Sequence, residues 1–356
     1  MSALPGDVGP RGRLPLDSTA LLDALHSADA GATYSPLGST PWLYLDLDAL
    51  ASLPALQSRR LQPWVRRRAC PVIGLRGSFG DSPQGDSPPD SPPDSPLAAA
   101  CDIVVPDDAE AQMLIDNIER VPLAAMTLVQ VLRATELLPI TQGLLVESMG
   151  FATLQAGPEF RAWLATRERA RSVGAAGPPL RMERAGSMLT ITLARPDRRN
   201  ALSVEMRDAL VEALDLVASD PTIENAVIDG DGPDFCAGGD LAEFGTAPDP
   251  ATAHAVRSTR LPASALVACR HRVDFRMQGA CIGAGAELAA FGRTVIADAD
   301  TWFRLPELGF GLIPGAGGCV SLVRRIGRQR TAWLAISGRR IDAATALALG
   351  LVDSVI

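Results

Sequence analysis

The segment GACIGAGAELAAFG, Gly279–Gly292, decides how this chain is read. An apolar run with strand character, Val273–Met277, precedes it, and a second, TVIA at Thr294–Ala297, follows. Between them lies a glycine-rich turn leading into a helix-forming run, Glu287 to Phe291. Strand, turn, helix and strand in that order make a βαβ unit of a largely parallel sheet. Working outward, MLTITL (Met188–Leu193) and NAVI (Asn225–Ile228) are further strands. SVEMRDALVEALDLVAS, opening at Ser203, places apolar residues at helical spacing behind a serine suited to an N-cap. The downstream half is therefore α/β.

The upstream half repeats this grammar more weakly. WLYLDL (Trp42–Leu47), VIGL (Val72–Leu75) and DIVV (Asp102–Val105) are strand-like, and a helix-rich stretch runs from about Leu123 to Arg171. ACPVIGLRG, ending at Gly77, can be laid over HRVDFRMQG, ending at Gly279; CDIVVPDDAE from Cys101 can be laid over RTVIADAD from Arg293. A diverged duplication follows from this alignment. The Asp-Ser-Pro tract from Gly80 to Pro96 replaces the glycine loop in the upstream copy and cannot form helix or strand. SVGAAGPPL, residues 172–180, reads as a linker. The expected organisation is an irregular segment over 1–40, a degenerate helix-tailed copy over 41–171 with a disordered loop at 80–96, the linker, and a working core over 181–356.

Composition narrows the function. A net charge of −8 argues against nucleic acid. No stretch is long and apolar enough to span a bilayer, and the N-terminus lacks the apolar region of a signal peptide. All 33 basic residues are arginine, which removes lysine Schiff-base chemistry and the P-loop lysine. The six cysteines are scattered without metal-type spacing, so reduced thiols in a cytoplasmic protein and no metal are expected. The glycine runs fall short of a GxGxxG dinucleotide motif.

Three segments could carry chemistry together: DFCAGGDL (Asp234–Leu241), GACIGAGAEL (Gly279–Leu288) and LPELGFGLIPGAGG (Leu305–Gly318). Small residues ahead of a helix let a ligand carbonyl approach backbone N–H groups that lack an intrahelical partner, where the dipole favours negative charge. A second N–H from the 236–239 turn would complete an oxyanion hole. Glu287 projects from the same helix and Glu307 follows a proline downstream. Two carboxyls in one apolar site repel, which splits their titration into an acid and a base. Cys281 reads as a packing residue, with no base beside it in sequence.

These segments, with RPDRRNALS from Arg195, PGAGG from Pro314 and RRIGRQRTAWLAISGRRIDAATALALGLVD from Arg324, resemble the enoyl-CoA hydratase/isomerase (crotonase) superfamily over about 180–356. The resemblance implies a ββα superhelix, a spiral core in the C-terminal half, with a degenerate crotonase-like copy upstream. It implies an enoyl-CoA hydratase adding water to a 2-enoyl-CoA. Isomerisation, thioester hydrolysis, decarboxylation or a non-catalytic assembly role are the alternatives. Hydratases of the family carry two catalytic glutamates twenty positions apart, as Glu287 and Glu307 are. By the same resemblance Gly239 and Ala284 supply the oxyanion donors; Asp240, Leu241 and Ala242 line the CoA moiety; Arg195, Arg198 and Arg199 lie in the nucleotide-contacting loop. No cofactor is implied beyond the coenzyme A of the substrate, and a homo-oligomer, possibly trimer-based, is. Family members carry helices beyond the LVD motif; residues 121–171 resemble that region and are expected to cover the downstream site, in cis or from a neighbouring subunit.

Overall fold

The computed structural model describes residues 13–77, 95–167 and 177–356; most of the 80–96 tract and the first part of the 172–180 segment lie outside them. Contacts divide the chain into two compact units, Met1–Glu119 and Arg120–Ile356. The boundary thus falls about fifty residues ahead of the proline-glycine segment, because the helices of the intervening stretch bury their apolar faces on the downstream core.

In the first unit, helices α1 (Ser18–His26) and α2 (Ala30–Thr33) give helical structure to a region expected to be irregular. Asp17 caps α1 by accepting from the Ala20 amide. Strands β1 (Leu43–Asp46), β2 (Val72–Leu75) and β3 (Ile103–Val105) form a parallel sheet in that order. Around them run α3 (Leu47–Leu50), α4 (Ala55–Arg66), α5 (Pro96–Ala100) and α6 (Asp108–Arg120). Leu43, Leu45, Leu61, Val65 and Val72 form the centre of its core.

The second unit opens with α7 (Pro122–Thr135), α8 (Ile140–Gln155) and α9 (Pro158–Ala165). A hairpin follows, β4 (Leu180–Ala185) and β5 (Met188–Leu193), then α10 (Val204–Ser219), β6 (Asn225–Gly230), α11 (Pro250–Arg260) and α12 (Pro262–Cys269). Ser203 caps α10 through the Met206 amide, as its position in the sequence implied. Met206, Leu210, Leu214 and Val217 make the buried stripe of α10, which packs on α12. Each such side chain contributes about 1.5–3 kcal/mol when fully removed from water.

From here the chain winds as a spiral. Strand β7 (Val273–Met277), strand β8 (Ala280–Ile282) and helix α13 (Ala284–Ala289) make one ββα turn. Strand β9 (Thr294–Ala297), strand β10 (Trp302–Arg304) and helix α14 (Gly318–Ile326) make the next. The first strand of each turn joins a six-stranded sheet, order β12-β9-β7-β6-β5-β4, and the second joins a small sheet, order β11-β10-β8. Each turn advances both sheets by one parallel strand. Helix α15 (Arg328–Ser337), β11 (Ile341–Asp342), α16 (Ala343–Leu349) and β12 (Ser354–Val355) close the unit. The expected ββα spiral is thus the architecture of the C-terminal half. Among the described residues, no helix is long and apolar enough to cross a membrane.

Candidate active site

The β8–α13 junction sets the site. Gly283 takes φ +48 and ψ −117, a region open to glycine, which lets the strand turn straight into a helix. Its amide donates to Arg304 across the small sheet, 2.9 Å. Ala284 is then the first helical residue, and its N–H finds no protein acceptor among the described residues.

A second turn lies alongside. Cys236 pairs in parallel with Cys281, and the Ile282 amide donates to the Cys236 carbonyl at 2.9 Å. Gly239 and Ala284 each lie three residues beyond that pair, and the Gly239 amide likewise has no protein acceptor among the described residues. Backbone bonds on both sides hold this turn, Ala237 N–H to Arg199 and Asp240 N–H to Leu202. Two unspent donors on adjoining, well-held turns are what an oxyanion hole requires.

Glu287, in the first turn of α13, is 2% exposed. Its Oε2 accepts from the Ala316 and Gly318 amides at 2.7 and 2.8 Å. Gly318 must be glycine, since a Cβ there would lie 2.6 Å from Glu287 Cγ. Burial pushes the Glu287 carboxyl up to about 7, while those two amides pull it down. Glu307 opens a 3-10 turn, Glu307–Phe310, and is 8% exposed. Burial and then the charge of Glu287 raise its carboxyl well above the usual range; its Oε2 is buried without a hydrogen-bond partner. The amide-bonded carboxyl is therefore the more readily ionised of the two, and the surroundings of the orphaned one favour its protonated form.

Aromatic rings adjoin both features. Phe244 lies 3.2 Å from where a Gly239 Cβ would be, and Phe310 closes the turn that Glu307 opens. Phe160 and Trp163 of α9 pack with them, Trp163 and Phe310 at 4.6 Å between centroids. Helix α9 of the same chain thus packs on the rings beside the site.

The remaining candidates are less directly placed. Asp240 caps the 3-10 turn Leu241–Glu243, accepting from the Ala242 amide at 2.9 Å. Leu241 is partly exposed, and its carbonyl accepts from Arg167 at 2.9 Å. Arg195 is 6% exposed and turned inward, with Nη2 on the Gly177 carbonyl and Glu205. It braces the loop instead of presenting a solvent-facing phosphate contact. Arg199 pairs with Asp234 at 2.7 Å, and Arg198 lies 3.9 Å from Asp197. The structure does not bring these three arginines onto the carboxyl pair. All six cysteines are free and buried, Cys281 among them.

Sequence reasoning missed Glu147 and the α9 aromatics. Glu147 of α8 is 1% exposed, and its two oxygens accept from the Gly317 and Cys319 amides at 2.7 and 2.8 Å. The available signal was a lone acid inside an apolar helical run, LLVESMGF.

The enoyl-CoA hydratase/isomerase family pattern matches residues 183–356. The chain is 36% identical over 168 residues to 2,3-dehydroadipyl-CoA hydratase of Escherichia coli K12, covering 47% of this chain and 65% of that protein. It is 33% identical over 190 residues to enoyl-CoA hydratase EchA19 of Mycobacterium tuberculosis, covering 51% of this chain and 69% of the relative. A solved enoyl-CoA hydratase/isomerase from Marinobacter aquaeolei is 34% identical, with 50% of this chain and 70% of that chain covered and a TM-score of 0.47. The matched stretch thus spans just under two thirds of the Escherichia coli relative.

Proposed function

The chain belongs to the enoyl-CoA hydratase/isomerase family, and from that premise we propose that it is an enoyl-CoA hydratase. The observation that carries this reading is the convergence of two buried carboxyls on Gly283, one amide-bonded and one orphaned, beside two unspent backbone donors. In the forward reaction the Glu287 carboxylate takes a proton from water as the water oxygen bonds to C3 of a 2-enoyl thioester. The electron pair of the double bond moves toward the thioester, whose oxygen gains enolate charge against the Gly239 and Ala284 amides. The Glu307 carboxylic acid protonates C2. Glu287 ends protonated and Glu307 ionised, and proton exchange between them restores the starting state. An arrangement with two titrating carboxyls favours hydration over isomerisation, which one carboxyl can serve.

Purified protein mixed with crotonyl-CoA tests this. Loss of the conjugated thioester absorbance is the expected result. A folded protein that leaves it unchanged would sink the hydratase reading and leave another acyl-CoA reaction or an assembly role.

Two further readings belong to this proposal. The 1–119 unit is the remnant of a second copy: laying Gly77 on Gly279 and Cys101 on Arg293 makes the pairs Ile73↔Ile103 and Phe275↔Val295 equivalent, and both strand pairs are parallel. A cytoplasmic setting fits the free, buried cysteines, and the homo-oligomer that the family resemblance implies would be read by light scattering.

A further inference from the structure

The turn that opens α14, Ala316–Cys319, lies between two carboxyl groups. Successive amides serve alternate carboxyls here because Gly317, at φ +111 and ψ 0, turns the chain into the first residues of α14, whose N–H groups have no intrahelical partner. Ala316 and Gly318 donate to Glu287 Oε2; Gly317 donates to Glu147 Oε1 and Cys319 to Glu147 Oε2. Neither pair of bonds can reorient without turning the peptide planes that serve the other.

The setting of Glu147 is specific to that task. It sits in the middle of α8, which packs on α14, and both its oxygens accept, an arrangement that suits a carboxylate. The ionisable groups around it are Glu287 from α13, Glu307 from the 3-10 turn, Cys319 from α14 and Arg257 from α11. Burial and then Glu287 raise the Glu147 carboxyl, while the Gly317 and Cys319 amides and Arg257 oppose this. Arg257 is itself held by Ser148 and Gln155 of α8 at 3.2 Å each, and His254 bonds Ser148 at 2.8 Å.

We propose that Glu147 is a positioning residue: by pinning the Gly317 and Cys319 amides it aims the Ala316 and Gly318 amides at Glu287 and holds that carboxyl over Gly283. The role rests on Glu287 being the base. It differs from the part played by the α9 aromatics, which wall the site. Glu147 acts through the backbone and need not touch substrate.

Glu147→Gln and Glu147→Asp in the full chain test it. Gln turns one acceptor oxygen into a donor facing an amide N–H, whereas Asp keeps both acceptors and the charge. In the Gln variant, hydrogen exchange of a peptide covering 312–322 should quicken by a factor on the order of 5 or more, about one amide bond's worth. With crotonyl-CoA, kcat should fall more than KM rises, and the acid limb of kcat/KM should move to higher pH as Glu287 loses amide bonds that hold its pKa down. Asp, one methylene too short to keep both amide bonds at full strength, should lie between the parent and Gln on each measure, displaced from both. Unchanged strap exchange in a folded Gln variant overturns the proposal. So does an acid limb that stays or moves to lower pH, the direction that mere removal of a neighbouring negative charge would give. If the Gln variant does not fold, Asp decides: exchange and limb displaced the same way support the role, and parental values sink it. A parent without hydratase activity refutes the function proposed above, and the exchange comparison still decides this inference.

Discussion

Glu287 and Glu307 meet over a residue that has no side chain. A Cβ on Gly283 would lie 2.3 Å from Glu307 Oε1 and 3.9 Å from Glu287 Oε1, so the room that lets the carboxyls converge is the room glycine leaves. The two acids nonetheless differ in what holds them. Glu287 Oε2 has two amide donors, and Glu307 Oε2 has no partner. That asymmetry, imposed on one chemical group in two surroundings, is what the proposed roles of base and acid rest on.

The pH profile should be a bell. Glu287 must be ionised, and its carboxyl is pushed up to about 7, so kcat/KM falls as pH drops through that value. Glu307 must be protonated, and burial and then the charge of Glu287 hold its carboxyl well above the usual range, so activity falls again on the alkaline side as it ionises. The limbs report the coupled pair. An acid limb near the ordinary carboxylate range would contradict the burial argument.

Glu307→Gln should separate chemistry from stability. Activity with crotonyl-CoA should drop by roughly 10²–10⁴, the usual worth of a general acid. A carboxyl whose folded pKa is raised binds its proton more tightly when folded, so stability declines as pH rises above the unfolded pKa. Gln removes that decline, and the melting temperature at alkaline pH should rise relative to the parent.

Ala284→Pro should delete one oxyanion donor with little harm to the fold. Ala284 is the first residue of α13, a position where proline is well accepted. The loss in kcat should be about 10²–10³, with circular dichroism and melting close to the parent. Full activity would remove the Ala284 amide from the mechanism.

Gly318→Ala tests the placing of Glu287 directly. The new methyl would sit 2.6 Å from Glu287 Cγ and 2.8 Å from Oε2, displacing the carboxyl. Overpacking of this kind costs about 1–3 kcal/mol. Gly309→Ala, where nothing lies within 4 Å, is the control and should be silent. Equal activities for the two variants would count against the placement.

Removing residues 1–176 should give insoluble or inactive protein, because α7 and α8 cover α14 and bring Glu147 to the strap. Residues 120–356 alone should remain folded, as they form one compact unit. A soluble, fully active fragment beginning at 177 would refute the covering role of these helices.

Much of the fold was legible because its signals are local. Alternating apolar runs marked β5, β6, β7 and β9, and Ser203 marked the start of α10. The boundary was misread because proline and glycine report a break in regular structure, whereas a unit is defined by which apolar faces are buried together. The inward turn of Arg195 was hidden for the same reason: its partners, Gly177 and Glu205, follow from the packing of the loop.

The sequence by itself determined the glycine turn ahead of a helix, the glutamate in that helix and a second one twenty positions on, because these are properties of neighbouring residues along one chain. The tertiary structure alone decided that Glu147, 170 positions before Gly317, shares a backbone strap with Glu287. No periodicity encodes such a pairing. It exists because the apolar faces of α8 and α14 exclude water together, and the buried carboxyl between them must then find its donors on the partner helix.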